Sequence, residues 1–293
     1  VRIPGKGTED YINRTFEYNN AMAAWRAGIS AEIIWADVEK GIMVSKAING
    51  IKTMTPNLFA SRKGSSSRAG SALAKLHNSG EVFDFRFDLF NMIDEYLKIL
   101  SSKNAELPDG YHEIVDAAKP VKEALIANPN PLSPCHCDPL CENFLDDGIN
   151  MWIVDWEYSG MNDPMWDLGD LSVEAGMDEN QESEMLLAYF GKEPTAAQKG
   201  RVIIYKAMCD LLWTLWGLIQ HADKNPAEDF WAYSIERFER CKKLMQKSEF
   251  VVHIRQPYAH SPRLHDRFRI SLCHQNSMNA LNLKRRIPCP PIV

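Results

Sequence analysis

Asp138 and Asn143 stand at an Asp-x-x-x-x-Asn spacing, with His136 two positions ahead of the aspartate. A short apolar step follows at Phe144-Leu145. Next comes an Asp146-Asp147-Gly148 turn, then a β-rich run, Met151-Trp152-Ile153-Val154, that ends on Asp155. This layout brings one base and two oxygen ligands to a single phosphate. Phosphoryl transfer asks little covalent chemistry of a protein. It needs positioning, charge neutralisation and a group to receive the proton of the acceptor hydroxyl. Asp138 fits that last role. Asn143 offers an uncharged oxygen and Asp155 a charged one, which suits Mg2+ held by few protein ligands plus phosphate oxygens. His136 belongs with Asp138 in the catalytic loop, more as a brace than as a reacting group. The plainer alternative is that these polar residues merely cap turns, but spacing, hairpin and terminal aspartate agree on the first reading.

The elements around this stretch follow from periodicity. Val1-Arg2-Ile3 reads as a strand, and Pro4-Gly5-Lys6-Gly7 as a turn. Residues 9–27 read as a helix with Ile12, Phe16, Ala23 and Ala27 roughly on one face. Residues 33–36 and 41–44 read as two strands joined at Val38-Glu39-Lys40. Lys63–Ser67 is glycine- and serine-rich and reads as a surface loop before a helix that runs to about His77. It lacks the Gly-x-x-x-x-Gly-Lys pattern of a phosphate-binding loop. Helices are expected over 84–100, 111–127, 181–190, 196–221 and 226–247. Residues 251–293 hold five prolines and four of the eight histidines without sustained periodicity, and read as a disordered or poorly docked tail.

Bulk properties narrow the class. At 293 residues and 45% hydrophobic, the chain can bury one large core or two lobes. No run of 18 or more apolar residues is present and the first residues form no signal peptide, so neither membrane insertion nor export is expected. Seven irregularly spaced cysteines point to reduced cytoplasmic thiols. Cys135, Cys137 and Cys141 flank His136, but they lack the paired knuckles of a structural zinc site. The net charge of −6 is uneven: residues 1–250 hold 26 basic against 38 acidic residues, while 251–293 hold seven basic against one acidic. An acidic body argues against nucleic acid and suits a cationic substrate.

Trp213 and Trp216 share one face of a helix, with Gln220 completing the stripe. Two indoles and a neighbouring tyrosine can box a quaternary ammonium, which offers no hydrogen-bond donor. Tryptophans at helical spacing more often sit in a core, so the residues alone leave both readings open.

Three motifs together resemble the choline/ethanolamine kinase family, within the aminoglycoside-phosphotransferase and protein-kinase-like superfamily. They are His136-Cys-Asp138-x-x-x-x-Asn143, Ile153-Val-Asp155-Trp-Glu157-Tyr158 and Asn162-Asp-x-x-x-Asp167-Leu-Gly169. Val1-Arg2-Ile3-Pro4-Gly5-x-Gly7-Thr8 is similar to the family's third strand and turn, as in bacterial choline kinases. The resemblance covers about residues 1–247. It implies an α+β, protein-kinase-like two-lobe fold, with a truncated nucleotide-binding lobe at 1–48 and a mostly helical catalytic and choline-binding lobe at 49–250. The family's glycine-rich hairpin over the nucleotide phosphates has no counterpart ahead of Val1.

The resemblance also implies Asp138 as base, Asn143 and Asp155 as Mg2+ ligands, and Arg2 facing the phosphates of ATP with Glu17 as its ion-pair partner. Glu157, Tyr158 and Asp167 would line the acceptor site with Trp213 and Trp216, leaving Trp152, Trp156 and Trp166 to packing. The expected activity is transfer of the ATP γ-phosphate to choline, in the cytoplasm. Ethanolamine or another amino alcohol is the nearest alternative acceptor, and a choline-binding fragment without turnover is the alternative of another class.

Overall fold

The computed structural model describes residues 1–5 and 12–255. Asn13 caps the first helix, α1 (Arg14–Arg26), accepting from the backbone N–H groups of Thr15 and Phe16 at 3.0 and 3.1 Å. The strands β1 (Ile33–Asp37) and β2 (Ile42–Ser45) form an antiparallel pair, as their short apolar runs and the turn between them predict. Arg2 pairs with Met43 on β2 through two backbone bonds of 2.8 and 3.1 Å. The expected turn at Lys6-Gly7 and the tail beyond Arg255 lie outside the described residues.

A short strand β3 (Lys52–Thr53) follows, then the helices α2 (Pro56–Ser61), α3 (Ser65–His77), α4 (Leu89–Ser102), α5 (Tyr111–Ala117) and α6 (Lys119–Ala127). The chain then makes β4 (Ser133–Cys135), β5 (Phe144–Asp146), β6 (Met151–Ile153) and β7 (Gly160–Asn162). β5 and β6 are the predicted hairpin, with Phe144 opposite Ile153 and Asp146 opposite Met151. Its turn is set by Asp147, whose Oδ1 accepts from the N–H groups of Ile149 and Asn150 at 2.8 and 2.6 Å. Gly148 takes φ +93°, which favours glycine. β3 pairs with β5, and β4 pairs with β7.

The remainder is helical: α7 (Met165–Glu174), α8 (Glu179–Phe190), α9 (Ala196–Ala222), α10 (Phe230–Met245) and α11 (Ser248–Arg255). α9 is the central helix, packed against α4, α7, α10 and α11. It is long and apolar enough to cross a bilayer, but most of that apolar stretch is buried inside the protein, as in a core helix.

Several boundaries differ from expectation. Ser65–Ser67 belong to α3, because Gly64 at φ +73° makes the turn and frees the serines to start the helix. The expected 111–127 helix breaks at Ala118, where Pro120 at the start of α6 removes a backbone donor. Val251–Arg255, expected as tail, continue α11, with Phe250 buried. Two helices were not expected. α2 is short and begins at Pro56. α7 has eight of its ten residues buried, so it lacks the exposed polar face that betrays an amphipathic helix.

Candidate active site

The catalytic loop hangs between β4 and the 3-10 turn Cys141–Asn143. Cys137, directly ahead of Asp138, has φ +67°, a conformation that costs a non-glycine residue on the order of 1–3 kcal/mol. Both of its backbone groups are pinned. Its N–H donates to Asp167 Oδ1 at 2.9 Å, and its carbonyl accepts from the Trp166 indole at 3.0 Å. Asn143 Nδ2 donates to the Asp138 carbonyl at 3.0 Å, which ties the candidate base to the first metal-ligand candidate. The Val154 N–H donates to the Asn143 carbonyl at 3.0 Å, joining the loop to the segment that carries Asp155. Asp155 also adopts positive φ, at +67°, with its side chain 43% exposed.

No protein group among the described residues donates to the Asp138 carboxylate. Burial pushes that carboxyl well above the usual carboxylate range, and Glu174, Asp155 and Glu157 push it further while Arg237 opposes. A base poised nearer neutrality accepts a hydroxyl proton more effectively than an ordinary aspartate. Asn143 and Asp155 present the hard oxygen donors that Mg2+ requires, so these residues fit the ion.

A charged cluster gathers beside Asp155. Arg2 Nη2 lies 2.5 Å from Glu157 Oε2 and 3.5 Å from Asp155 Oδ1, and Arg2 Nε lies 2.9 Å from Glu17 Oε1. Arg14 Nη1 reaches Glu17 at 2.7 Å and Glu157 at 3.2 Å. The Arg2–Glu17 pair expected from the resemblance is therefore formed, and Arg14 joins it. Burial outweighs pairing at Glu17, whose carboxyl is pushed up despite Arg14 and Arg2. At Arg14 burial acts the other way, but Glu17 and Glu157 prevail and the guanidinium is held more strongly protonated. The Glu17, Asp155 and Glu157 carboxylates converge within 4.8 Å of one another.

An aromatic cluster stands on α9 and its neighbours. The Tyr158 and Trp213 rings meet edge-on at 5.7 Å, Trp213 and Trp216 at 6.5 Å, and Trp216 and Tyr233 at 5.9 Å. Trp216 Nε1 donates to the Tyr158 hydroxyl at 3.2 Å, and Trp213 Nε1 to Asp170 Oδ2 at 3.1 Å. Asp170 is fully buried, its Oδ1 has no partner among the described residues, and burial followed by Glu174 pushes its carboxyl up. Arg237 lies over the Tyr233 ring at 4.5 Å and is paired with Glu174 and with Asp210. Two glycines permit this packing. A Cβ on Gly169 would stand 2.9 Å from the Val202 carbonyl of α9, and one on Gly217 would stand 2.6 Å from the Tyr233 ring of α10.

Three expected roles change. Asp167 does not line an acceptor site. It is fully buried, and its carboxylate is spent on the N–H groups of His136 and Cys137 and on His77. His136, expected as a brace more than as a reacting group, is held inside the protein. Its ring is fully buried against Trp156, and its Nε2 donates to the Val154 carbonyl at 2.9 Å. Glu157 faces the arginines rather than the tryptophans, because two guanidiniums claim its carboxylate. Gln220 leaves the tryptophan stripe and bonds Asn225 at 3.0 Å. Tyr158, Trp213 and Trp216 do come together.

Residues missed in the sequence are Arg14, His77, Asp170, Glu174, Tyr233 and Arg237. Asp167, Asp170 and Glu174 fall at i, i+3 and i+7, a stripe visible once α7 is recognised. Tyr233 and Arg237 fall at i, i+4 on α10. Nothing local signalled His77.

Comparison with known proteins agrees with this geometry. The model of the family described as "Phosphotransferase enzyme family" matches residues 30–198, more than half of the chain. Protein LicA of Haemophilus influenzae is 26% identical over 258 residues, spanning 84% of this chain and 93% of LicA. A choline/ethanolamine kinase family protein from Mesorhizobium loti superposes with a TM-score of 0.81 at 58% identity, covering 86% of this chain and 84% of that one. Choline kinase LicA from Streptococcus pneumoniae superposes at 0.71 and 28% identity, covering 83% of this chain and 84% of that one. With its catalytic loop, hairpin and helical layer in the protein-kinase-like arrangement, this chain belongs to the phosphotransferase enzyme family, as a choline kinase-like phosphotransferase.

Proposed function

We propose that the protein transfers the γ-phosphate of ATP to the hydroxyl of choline, giving phosphocholine. The observation that carries this reading is the enclosure of Tyr158, Trp213, Trp216 and Tyr233 next to the carboxylates of Asp170 and Glu174. A trimethylammonium group has no N–H to donate, so it is held by π faces and by nearby negative charge. Asp138 receives the proton of the acceptor hydroxyl as its oxygen attacks phosphorus. Arg2 and Arg14 offset the charge of the triphosphate, exchanging part of their pairing with Glu17 and Glu157 for phosphate oxygens. Asn143 and Asp155 would hold Mg2+, which would neutralise charge on the phosphate oxygens. Residues 1–48 would form the nucleotide side and 49–250 the catalytic and acceptor side, in the cytoplasm.

Ethanolamine is the second reading, favoured by one observation. Asp170 Oδ1 is a buried acceptor without a partner among the described residues, and a primary ammonium could supply the missing donor where choline could not. Steady-state phosphorylation of choline and ethanolamine, measured side by side with ATP and Mg2+, decides between them. A higher kcat/KM for choline supports the proposal. Equal or better ethanolamine turnover removes it in favour of the second reading, and turnover of neither removes both.

A further inference from the structure

The aromatic enclosure is suited to a cation, yet it carries a cation of its own. Arg237 of α10 is buried, and its side chain joins three helices. Its Nη2 donates to Glu174 Oε1 at the end of α7, and its Nη1 donates to Asp210 Oδ1 on α9 at 3.2 Å. The guanidinium plane lies over the Tyr233 ring, one turn earlier on α10, at 4.5 Å. Asp210 is in turn gripped by Arg240, at 2.7 Å through Oδ2 and 2.5 Å through Oδ1.

A buried guanidinium is costly unless its charge and its donors are matched. Burial opposes the charge on Arg237, but Glu174, Tyr233, Asp210 and Asp170 prevail and hold it protonated. What the residue does there follows from the two groups it reaches on the side of the enclosure. The Tyr233 ring meets Trp216 edge-on at 5.9 Å, and the Glu174 side chain is 13% exposed, against 1% for Asp210 on the far side. Among the described residues, Arg237 is the ion-pair partner of Glu174. Only a planar fork can hold two carboxylates on different helices while its face covers a ring, and a lysine would serve one of them.

We propose that Arg237 is a positioning residue of the acceptor site: anchored from behind by Asp210 and Arg240, it holds the Glu174 carboxylate and the Tyr233 ring where they meet the acceptor's ammonium group. The inference rests on reading the Tyr158–Trp213–Trp216–Tyr233 enclosure as that site.

The charge of Arg237 has a second consequence. Facing it are Asp138 of the catalytic loop, Asp170 and Glu174 of α7, Cys209 and Asp210 of α9, and Tyr233 and Arg240 of α10. At Asp138 it opposes burial and the neighbouring carboxylates. Without it the neutral form of Asp138 gains, so a higher pH is needed to ionise the base. Loosened packing alone would leave that pH unmoved.

The test is steady-state kinetics with choline and with ethanolamine, at varied ATP and across pH. Arg237→Met keeps much of the stem and removes the fork. KM for the preferred amino alcohol should rise by roughly 10- to 100-fold with the ATP KM within about twofold, since only one seat is disturbed. The acid limb of kcat/KM should move up by about 0.5–1 pH unit. Arg237→Lys keeps the charge without the fork. It should leave the acid limb near its wild-type position while the acceptor KM stays raised by about fivefold or more. Asp210→Asn loosens the anchor alone and should raise the acceptor KM by a smaller factor of about 3. It carries the test should Arg237→Met not fold.

An acceptor KM within twofold of wild type in folded Arg237→Met, or in Asp210→Asn if that variant is the one that folds, overturns the proposal. So does an equal rise in the ATP KM, or an acid limb that Arg237→Met leaves in place. A wild type that phosphorylates neither choline nor ethanolamine overturns the acceptor reading, and the proposal with it. An active wild type with unaltered variants removes the proposal alone.

Discussion

In the Arg2 cluster two guanidiniums meet three carboxylates, and only Glu17 is fully shielded; the Arg2, Arg14 and Glu157 side chains are 12–22% exposed and Asp155 is 43% exposed. In the Trp213 cluster the charges are sealed. Asp170, Asp210 and Arg237 are buried, and four aromatic rings stand among them. Charges with access to water can exchange partners cheaply, because solvent replaces what each loses. Buried charges cannot, and their strength depends on geometry held by packing. The first arrangement suits a phosphate chain that must enter and leave. The second suits a cation recognised by shape.

Asp138 feels both clusters, and its substitution should have the largest effect. Asp138→Asn should lower kcat by about 10²–10⁴-fold while choline affinity by calorimetry stays near the wild-type value. The same variant should be more stable at neutral pH. Burial raises the folded-state pKa of Asp138 above its unfolded value, so the ionised carboxyl costs stability at every pH above the unfolded range of about 3.9. That cost vanishes in acid, so the Tm advantage of Asp138→Asn should disappear below about pH 4. For the same reason the acid limb of the wild-type kcat/KM profile should lie above the ordinary carboxylate range. A limb near 4 would contradict the burial argument.

Next in size is Arg2→Ala, expected to lower kcat/KM for ATP by about 10²–10³-fold, the usual cost of losing one aligned charge at a transferring phosphate. Its salt dependence sharpens the comparison. Added NaCl should weaken ATP binding by the wild type much more than choline binding, since only the first cluster is open to screening. Equal salt slopes for the two substrates would erase the proposed difference.

Trp216→Leu should raise the choline KM by roughly 2- to 30-fold, the equivalent of about 0.5–2 kcal/mol of cation–π attraction, and should affect ethanolamine less. An unchanged choline KM would return Trp216 to a packing role. The smallest change is Gly217→Ala. Its methyl meets the Tyr233 ring and the Ser234 hydroxyl, so α9 and α10 must separate slightly. A loss of about 1–3 kcal/mol in denaturant unfolding should accompany a modest rise in choline KM, with the ATP KM unmoved. A rise in the ATP KM instead would mean that the two clusters are mechanically linked.

The catalytic loop and hairpin were readable in advance because their logic is local. Asp138, Asn143 and Asp155 are separated by one tight turn and one two-stranded ribbon, and the Asp-Asp-Gly turn sets their register. The Arg2 pairing was reached through family resemblance rather than through any local signal. Glu157 and Asp167 were misplaced for a common reason. Spacing places a carboxylate on a strand end or helix, but which cation or amide claims it depends on chains far away in sequence. Arg2 lies 155 positions from Glu157, and His77 lies 90 from Asp167. α7 escaped notice because it is buried all round, so the stripe of Asp167, Asp170 and Glu174 had no visible helix to sit on.

What the chain's own order of residues determined is the candidate chemistry: a proposed base, two proposed oxygen ligands and a hairpin that spaces them, all within twenty residues and fixed by short-range backbone rules. What tertiary structure alone decided is the allocation of charge. Burial raised Asp138, two arginines drew Glu157 away from the aromatic rings, and His77 with two loop amides claimed Asp167, an expected wall of the site. The physical reason is that a side chain's type is local, whereas its solvation and its partners are set by whatever the fold packs against it.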